Sequence, residues 1–136
     1  MTSRAVAEAP GGTITVLHVE DEPDVRLVVS MVLRRAGFDV LEAVDGQQAT
    51  AVLRDHLDTV DVVLMDVMMP VMTGPEALPV LRQLAPDLPV VFHSGYDRGQ
   101  VAAHLSEGRP YTSFVPKPAE NRALVEELNR AVATRR

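Results

Sequence analysis

Apolar positions recur along this chain in two alternating rhythms. Short runs rich in β-branched residues stand at 14–19 (ITVLHV), 38–43 (FDVLEA), 62–65 (VVLM), 89–93 (PVVFH) and 112–115 (TSFV). They read as strands, and the unbroken run at 62–65 reads as a strand covered on both faces. Between them the apolar residues fall three or four apart, the spacing of a helix with one buried face. Val25, Val28, Val29, Val32 and Ala36 mark a first helix, opened by Pro23 and Asp24 and stopped by Gly37. Ala49, Val52, Leu53 and Leu57 mark a second. A third runs from about Pro75 to Ala85, and Pro79 inside it is expected to distort its first turns. A short fourth helix is predicted at about 98–107. A fifth is predicted at 119–134, with Leu124, Leu128, Ala131 and Val132 on one face.

Strand and helix therefore alternate five times. Short connections and right-handed crossovers turn that alternation into a parallel sheet with helices on both faces, an α/β fold. The chain's 136 residues suit one domain. Its expected limits are 14–134, after a flexible tail at 1–13 that contains Pro10-Gly11-Gly12.

Composition narrows the function. Nearly half the residues are apolar, but no run approaches the roughly 20 needed to span a bilayer. No secretory signal is visible, and cysteine is absent, so a cytoplasmic location is expected. The net charge is −6 and no basic stripe appears, which argues against direct nucleic-acid binding. Of the 13 Lys and Arg residues only Lys117 is lysine, and prolines flank it on both sides.

In a parallel sheet, functional groups gather at the carboxyl ends of the strands. The first strand ends in Glu20-Asp21-Glu22, the third in Asp66 and the fourth in Ser94; Lys117 follows the fifth. In a strand order 2-1-3-4-5 the first, third and fourth strands are neighbours, and Glu20, Asp21 and Asp66 share one pocket. Three carboxylates so placed repel each other, and a hard divalent cation relieves the repulsion. Mg²⁺ takes oxygen ligands and keeps room for phosphate. A lysine and a serine opposite can hold a phosphoryl group, and a carboxylate can accept one as an acyl phosphate.

VEDE at 19–22, LMDVMMPVMTG at 64–74, HSG at 93–95 and FVPKP at 114–118 resemble the receiver domain of two-component response regulators, in the same order and spacing. The likeness covers about 14–134. It implies the flavodoxin-like (βα)5 fold with strand order 2-1-3-4-5. It implies that Asp66 accepts phosphate from a histidine kinase or a histidine phosphotransfer protein. Mg²⁺, with Mn²⁺ as a substitute, would be held by Asp21, Asp66 and the backbone carbonyl of Met68, and by Glu20 through water. Lys117 would pair with the phosphoryl oxygens. Ser94 would hydrogen-bond the phosphoryl group and draw its loop inward, and Phe114 would turn inward in response as the aromatic switch. Met68 and Tyr96 occupy positions that tune dephosphorylation in the family. The Lys117–Pro118 bond is expected to be cis. Phe114 stands where the family often has Tyr, which removes a hydroxyl but keeps the ring. Glu20 is one methylene longer than the Asp often found there.

The resemblance further implies a signalling module rather than an enzyme. Its partner would dock on the face of the fourth helix, fifth strand and fifth helix, and a homodimer could form there on phosphorylation. With no output domain after Arg136, a stand-alone regulator is expected. Two other functions compete with this one. An aspartyl-nucleophile phosphohydrolase of the haloacid-dehalogenase type needs an acid two residues after the nucleophile, where this chain has Met68. A phosphate-independent pseudo-receiver would not need the full set Glu20, Asp21, Asp66, Ser94 and Lys117. The four histidines are read as core or surface residues, and the side chains of the methionines around Asp66 as packing, rather than as ligands.

Overall fold

The computed structural model describes residues 12–95 and 109–135. The expected tail and the predicted helix at 98–107 lie wholly or mostly outside them, and Tyr96 does as well. Five strands, β1 (Thr15–Val19), β2 (Asp39–Ala43), β3 (Val62–Met65), β4 (Val90–Ser94) and β5 (Thr112–Pro116), form one sheet in the order β2-β1-β3-β4-β5. Every pairing is parallel. The described helices are α1 (Pro23–Arg35), α2 (Gly46–Asp55), α3 (Gly74–Leu84) and the C-terminal α4 (Asn121–Thr134). The parallel α/β sheet is what the sequence pattern predicts, and its strand order is the one the family resemblance implies. No described helix is long and apolar enough to cross a membrane.

Because side chains alternate along a strand, β3 feeds two cores. Val63 and Met65 pack with Leu17, Leu53, Ala77 and Leu81 under α2 and α3. Val62 and Leu64 pack with Val16, Leu33, Leu124 and Leu128 under α1 and α4. Each buried Val, Leu or Met side chain among them contributes roughly 1.5–3 kcal/mol by leaving water. The central strands β1, β3 and β4 are buried throughout, whereas the edge strand β2 is partly exposed, with only Ala43 buried.

Helix ends follow local chemistry. Asp45 caps α2 by accepting from Gln48 N at 2.8 Å, which starts the helix ahead of the predicted Ala49. Thr73 and Glu76 cap α3 reciprocally. That helix runs through Pro79 without a break, although proline lacks the N–H for the bond to Pro75 O. Gly37 closes α1 with φ +100°, a conformation that favours glycine. Arg82, near the end of α3, donates to Leu88 O, Tyr111 O (2.8 Å) and Thr112 Oγ1 (2.9 Å), and so ties α3 to the start of β5.

Candidate functional site

The parallel register carries four strand ends to one edge. Val19 is opposite Met65, Met65 opposite Phe92, and Ser94 opposite Pro116. The next residues continue the ladder. Glu20 N donates to Ala43 O at 3.0 Å, Asp66 N to Val19 O at 3.2 Å, and Lys117 N to Ser94 O at 2.7 Å. Glu20, Asp66, Ser94 and Lys117 are thereby brought together from four places in the sequence.

Carboxylate oxygens of Glu20, Asp21 and Asp66 lie within 4.8 Å of one another. Glu20 is buried, while Asp21 and Asp66 are half-buried. Asp66 Oδ1 accepts from Val67 N at 2.7 Å and from Ser94 Oγ at 3.0 Å. Lys117 Nζ is 2.7 Å from Glu20 Oε1 and 3.5 Å from Asp66 Oδ2. Glu20 Oε2 accepts from Glu22 N at 3.2 Å. Burial pushes the Glu20 carboxyl above its usual pKa; the bond and charge of Lys117 pull it down, and the charge of Asp66 adds to the rise. Among the described residues three carboxylates face the Lys117 ammonium, an excess of negative charge, and their all-oxygen donor set suits a hard divalent cation such as Mg²⁺.

The loop after β3 is tightly folded. Val67 and Met69 are buried, and Met72 packs against the core under α2 and α3. Met68, by contrast, is 47% exposed, so the packing role expected of the methionines does not extend to it. Its backbone lies in the loop two residues beyond Asp66. Met72 N donates to Pro70 O at 2.6 Å across Val71, whose φ is +68°. That is a γ-turn of the strained hand. Gly74 then begins α3 directly against Asp66: a Cβ at Gly74 would fall 2.6 Å from Asp66 O.

Ser94 is buried at the end of β4. Phe114, on β5 opposite Phe92, is half-buried and packs against the core under α2 and α3. The Lys117–Pro118 bond is cis, as expected. His18 and His93 are both buried and on the α1/α4 side. His18 Nδ1 is 2.9 Å from Ser30 Oγ. His93 Nε2 has no partner among the described residues. It borders an apolar cavity of about 440 Å³ that also touches Val28, Val32, Lys117, Pro118 and Leu124.

The sequence reading missed one residue at this edge. Arg26, in the first turns of α1, donates from Nη1 to the backbone carbonyl of Glu20 at 2.7 Å. The available signal was a cation near a helix N-terminus, where the dipole favours an anion.

A family model for the response regulator receiver domain matches residues 16–129. The chain is 39% identical over 107 residues to the sensor kinase CckA of Brucella abortus, covering 79% of this chain and 11% of that protein. It is 38% identical over 107 residues to the probable transcriptional regulatory protein TcrX of Mycobacterium tuberculosis, covering 77% of this chain and 45% of that one. The chain thus spans less than half the length of either relative. Among solved structures, the receiver domain of NtrX from Brucella abortus superposes with a TM-score of 0.79 at 28% identity, covering 88% of this chain and 98% of that one.

Proposed function

The chain belongs to the response regulator receiver family, a group of signalling modules, and on that premise we propose that it is switched by phosphorylation of Asp66. The observation that carries this reading is the setting of Asp66. Its carboxylate shares a pocket with Glu20 and Asp21, with Ser94 Oγ at 3.0 Å on one oxygen and Lys117 Nζ at 3.5 Å on the other.

The step is a phosphoryl transfer from a phosphohistidine of a histidine kinase or phosphotransfer protein. A carboxylate oxygen of Asp66 attacks phosphorus. The N–P bond of the donor breaks, its electron pair stays on the imidazole nitrogen, and an acyl phosphate forms. Oδ1 already accepts two hydrogen bonds, so Oδ2 is the freer nucleophile. Asp21, Asp66, the Met68 carbonyl and, through water, Glu20 would hold Mg²⁺ or Mn²⁺. That ion, when bound, supplies positive charge against the phosphoryl oxygens. Lys117 is close enough to move from Glu20 toward a new phosphoryl oxygen on Asp66. Ser94 would exchange its bond to Asp66 Oδ1 for one to the phosphoryl group.

Such contacts exist only in the phosphorylated state and so bias a conformational equilibrium. Ser94 and Phe114 carry the shift to the face of β5 and α4, where a downstream protein or a second copy binds. The protein acts in the cytoplasm, without direct nucleic-acid contact or catalysis on an outside substrate. The test is incubation with acetyl phosphate and Mg²⁺, followed by intact mass. Wild type should gain one phosphoryl group and Asp66→Asn none. Equal labelling of that variant overturns the assignment.

A further inference from the structure

Arg26 has its charge in a costly place. It lies beside an acidic pocket read as a cation site, where a positive charge opposes a cation, and it sits near the positive end of a helix. Its contacts give a reason for it to be there. Nη1 donates at 2.7 Å to Glu20 O, the carbonyl of the peptide that joins Glu20 to Asp21. The other side of Glu20 is fixed already, with its amide on Ala43 O and its carboxylate between Lys117 and the Glu22 amide. Arg26 supplies the remaining anchor, on the side that leads to Asp21. Its own guanidinium is steadied by Glu42, whose Oε1 is 4.0 Å from Arg26 Nε, and its side chain is only one-fifth exposed. Glu42 comes from β2, paired to β1 with His18 opposite it. The brace therefore runs from the edge strand through Arg26 to the carbonyl from which Asp21 hangs.

We propose that Arg26 is a positioning residue for the cation site: it pins the Glu20–Asp21 peptide and thereby sets where the Asp21 carboxylate meets those of Glu20 and Asp66. The inference rests on the reading of that trio as a Mg²⁺ site. Groups that orient ligands in this way typically matter by about 10–100-fold in metal affinity.

The two effects of Arg26 have opposite signs, which makes the test sharp. If only its charge mattered, removing it would tighten Mg²⁺ binding. If it positions Asp21, removing it loosens binding despite the relief of charge. Mg²⁺ titrations followed by amide NMR on wild type, Arg26→Lys and Arg26→Met distinguish the two. Arg26→Met keeps the stem and loses donor and charge, and should bind Mg²⁺ about tenfold more weakly. Arg26→Lys keeps the charge but replaces a rigid fork with a flexible ammonium, and should fall between. The Asp21 amide nitrogen, in the same peptide as the anchored carbonyl, should shift in both variants before any metal is added. Binding by Arg26→Met as tight as wild type or tighter overturns the proposal. Should that variant fail to fold, Arg26→Lys binding as tightly as wild type overturns it instead. A wild type that binds no Mg²⁺ overturns the cation reading itself, a separate outcome.

Discussion

The ammonium of Lys117 lies 2.7 Å from the buried carboxylate of Glu20, joining two residues that stand near opposite ends of the chain. Glu20 is 2% exposed, and among the described residues Lys117 is the countercharge paired with its carboxylate. Lys117→Met should therefore cost stability, because it leaves a buried carboxylate uncompensated. Losing one partner of a fully buried pair costs about 3–5 kcal/mol. Lys117 is 23% exposed, so about 1–3 kcal/mol is the expectation. Mg²⁺ should recover part of that loss by binding the folded state. Urea unfolding with and without Mg²⁺ checks both. A variant as stable as wild type without metal would falsify the pairing as a stabilising contact.

Acid should weaken the fold through His93. Burial, and then the charge of Lys117, lowers its pKa to about 4, with Asp66 pulling the other way; His18, itself lowered to about 3, is close enough to feel its charge. The folded value lies below the ordinary 6.5, so the unfolded chain takes up the proton first as pH falls. The stability due to neutral His93 is thus complete above pH 6.5 and is lost progressively down to about pH 4. At about 1.4 kcal/mol per pH unit that loss is roughly 3 kcal/mol. Urea midpoints at pH 7 and pH 4.5 should differ markedly in wild type and less in His93→Leu. Identical pH dependence in the two proteins rules His93 out. Glu20, whose pKa is raised, acts with the opposite sign, and comparing the two proteins cancels it.

Ser94 donates to Asp66 Oδ1 at 3.0 Å. Ser94→Ala keeps the nucleophile and the acidic trio, so it should still take a phosphoryl group from acetyl phosphate. It should lose most of the shift at Phe114 when a stable phosphate mimic binds, because no donor remains to draw the β4 end inward. Coupling of this kind is typically about 1–3 kcal/mol. Amide NMR of the two proteins decides: equal shifts along 112–116 would remove Ser94 from the switch.

Much of this arrangement was legible in the chain because its signals are local. Apolar runs marked the strands, and helical spacing marked the described helices, though Val28 and Leu57 of the expected apolar faces are exposed and Leu57 lies past the end of α2. Polar residues at or just beyond strand ends marked the edge where Glu20, Asp66, Ser94 and Lys117 meet. The strand order and the residue roles came from resemblance, since periodicity alone does not order a sheet. What escaped depends on contacts between distant residues. Arg82 grips Leu88, Tyr111 and Thr112, and nothing near it in sequence announces those partners. Arg26 is satisfied by a backbone carbonyl, an acceptor that every residue offers. Asp45 was missed for a different reason: caps lie outside the apolar period that located α2.

The loop between Asp66 and α3 holds two backbone positions with opposite demands, and exchanging their character should have opposite effects. At Gly74 a Cβ would lie 2.6 Å from Asp66 O, 3.0 Å from Phe92 Cε1 and 3.2 Å from Val67 Cα. Two of these are backbone atoms that cannot swing aside. Gly74→Ala must therefore push α3 and the Asp66 strand end apart, at an expected cost of about 1–3 kcal/mol. Since the displaced carbonyl belongs to Asp66, the proposed phosphoacceptor, labelling by acetyl phosphate should slow as well. Val71 is the converse case. It is β-branched and 74% exposed, and it holds φ +68° with no packing to lose. Strain of this kind amounts to about 1–3 kcal/mol, against roughly 0.5–1 kcal/mol for the extra freedom of an unfolded glycine. Val71→Gly should therefore be more stable than wild type, by up to about 2.5 kcal/mol, while keeping the γ-turn. Urea unfolding of the two single variants provides the measurement. A Gly74→Ala protein as stable as wild type, or a Val71→Gly protein less stable than wild type, would show that this loop relaxes more freely than its close contacts imply.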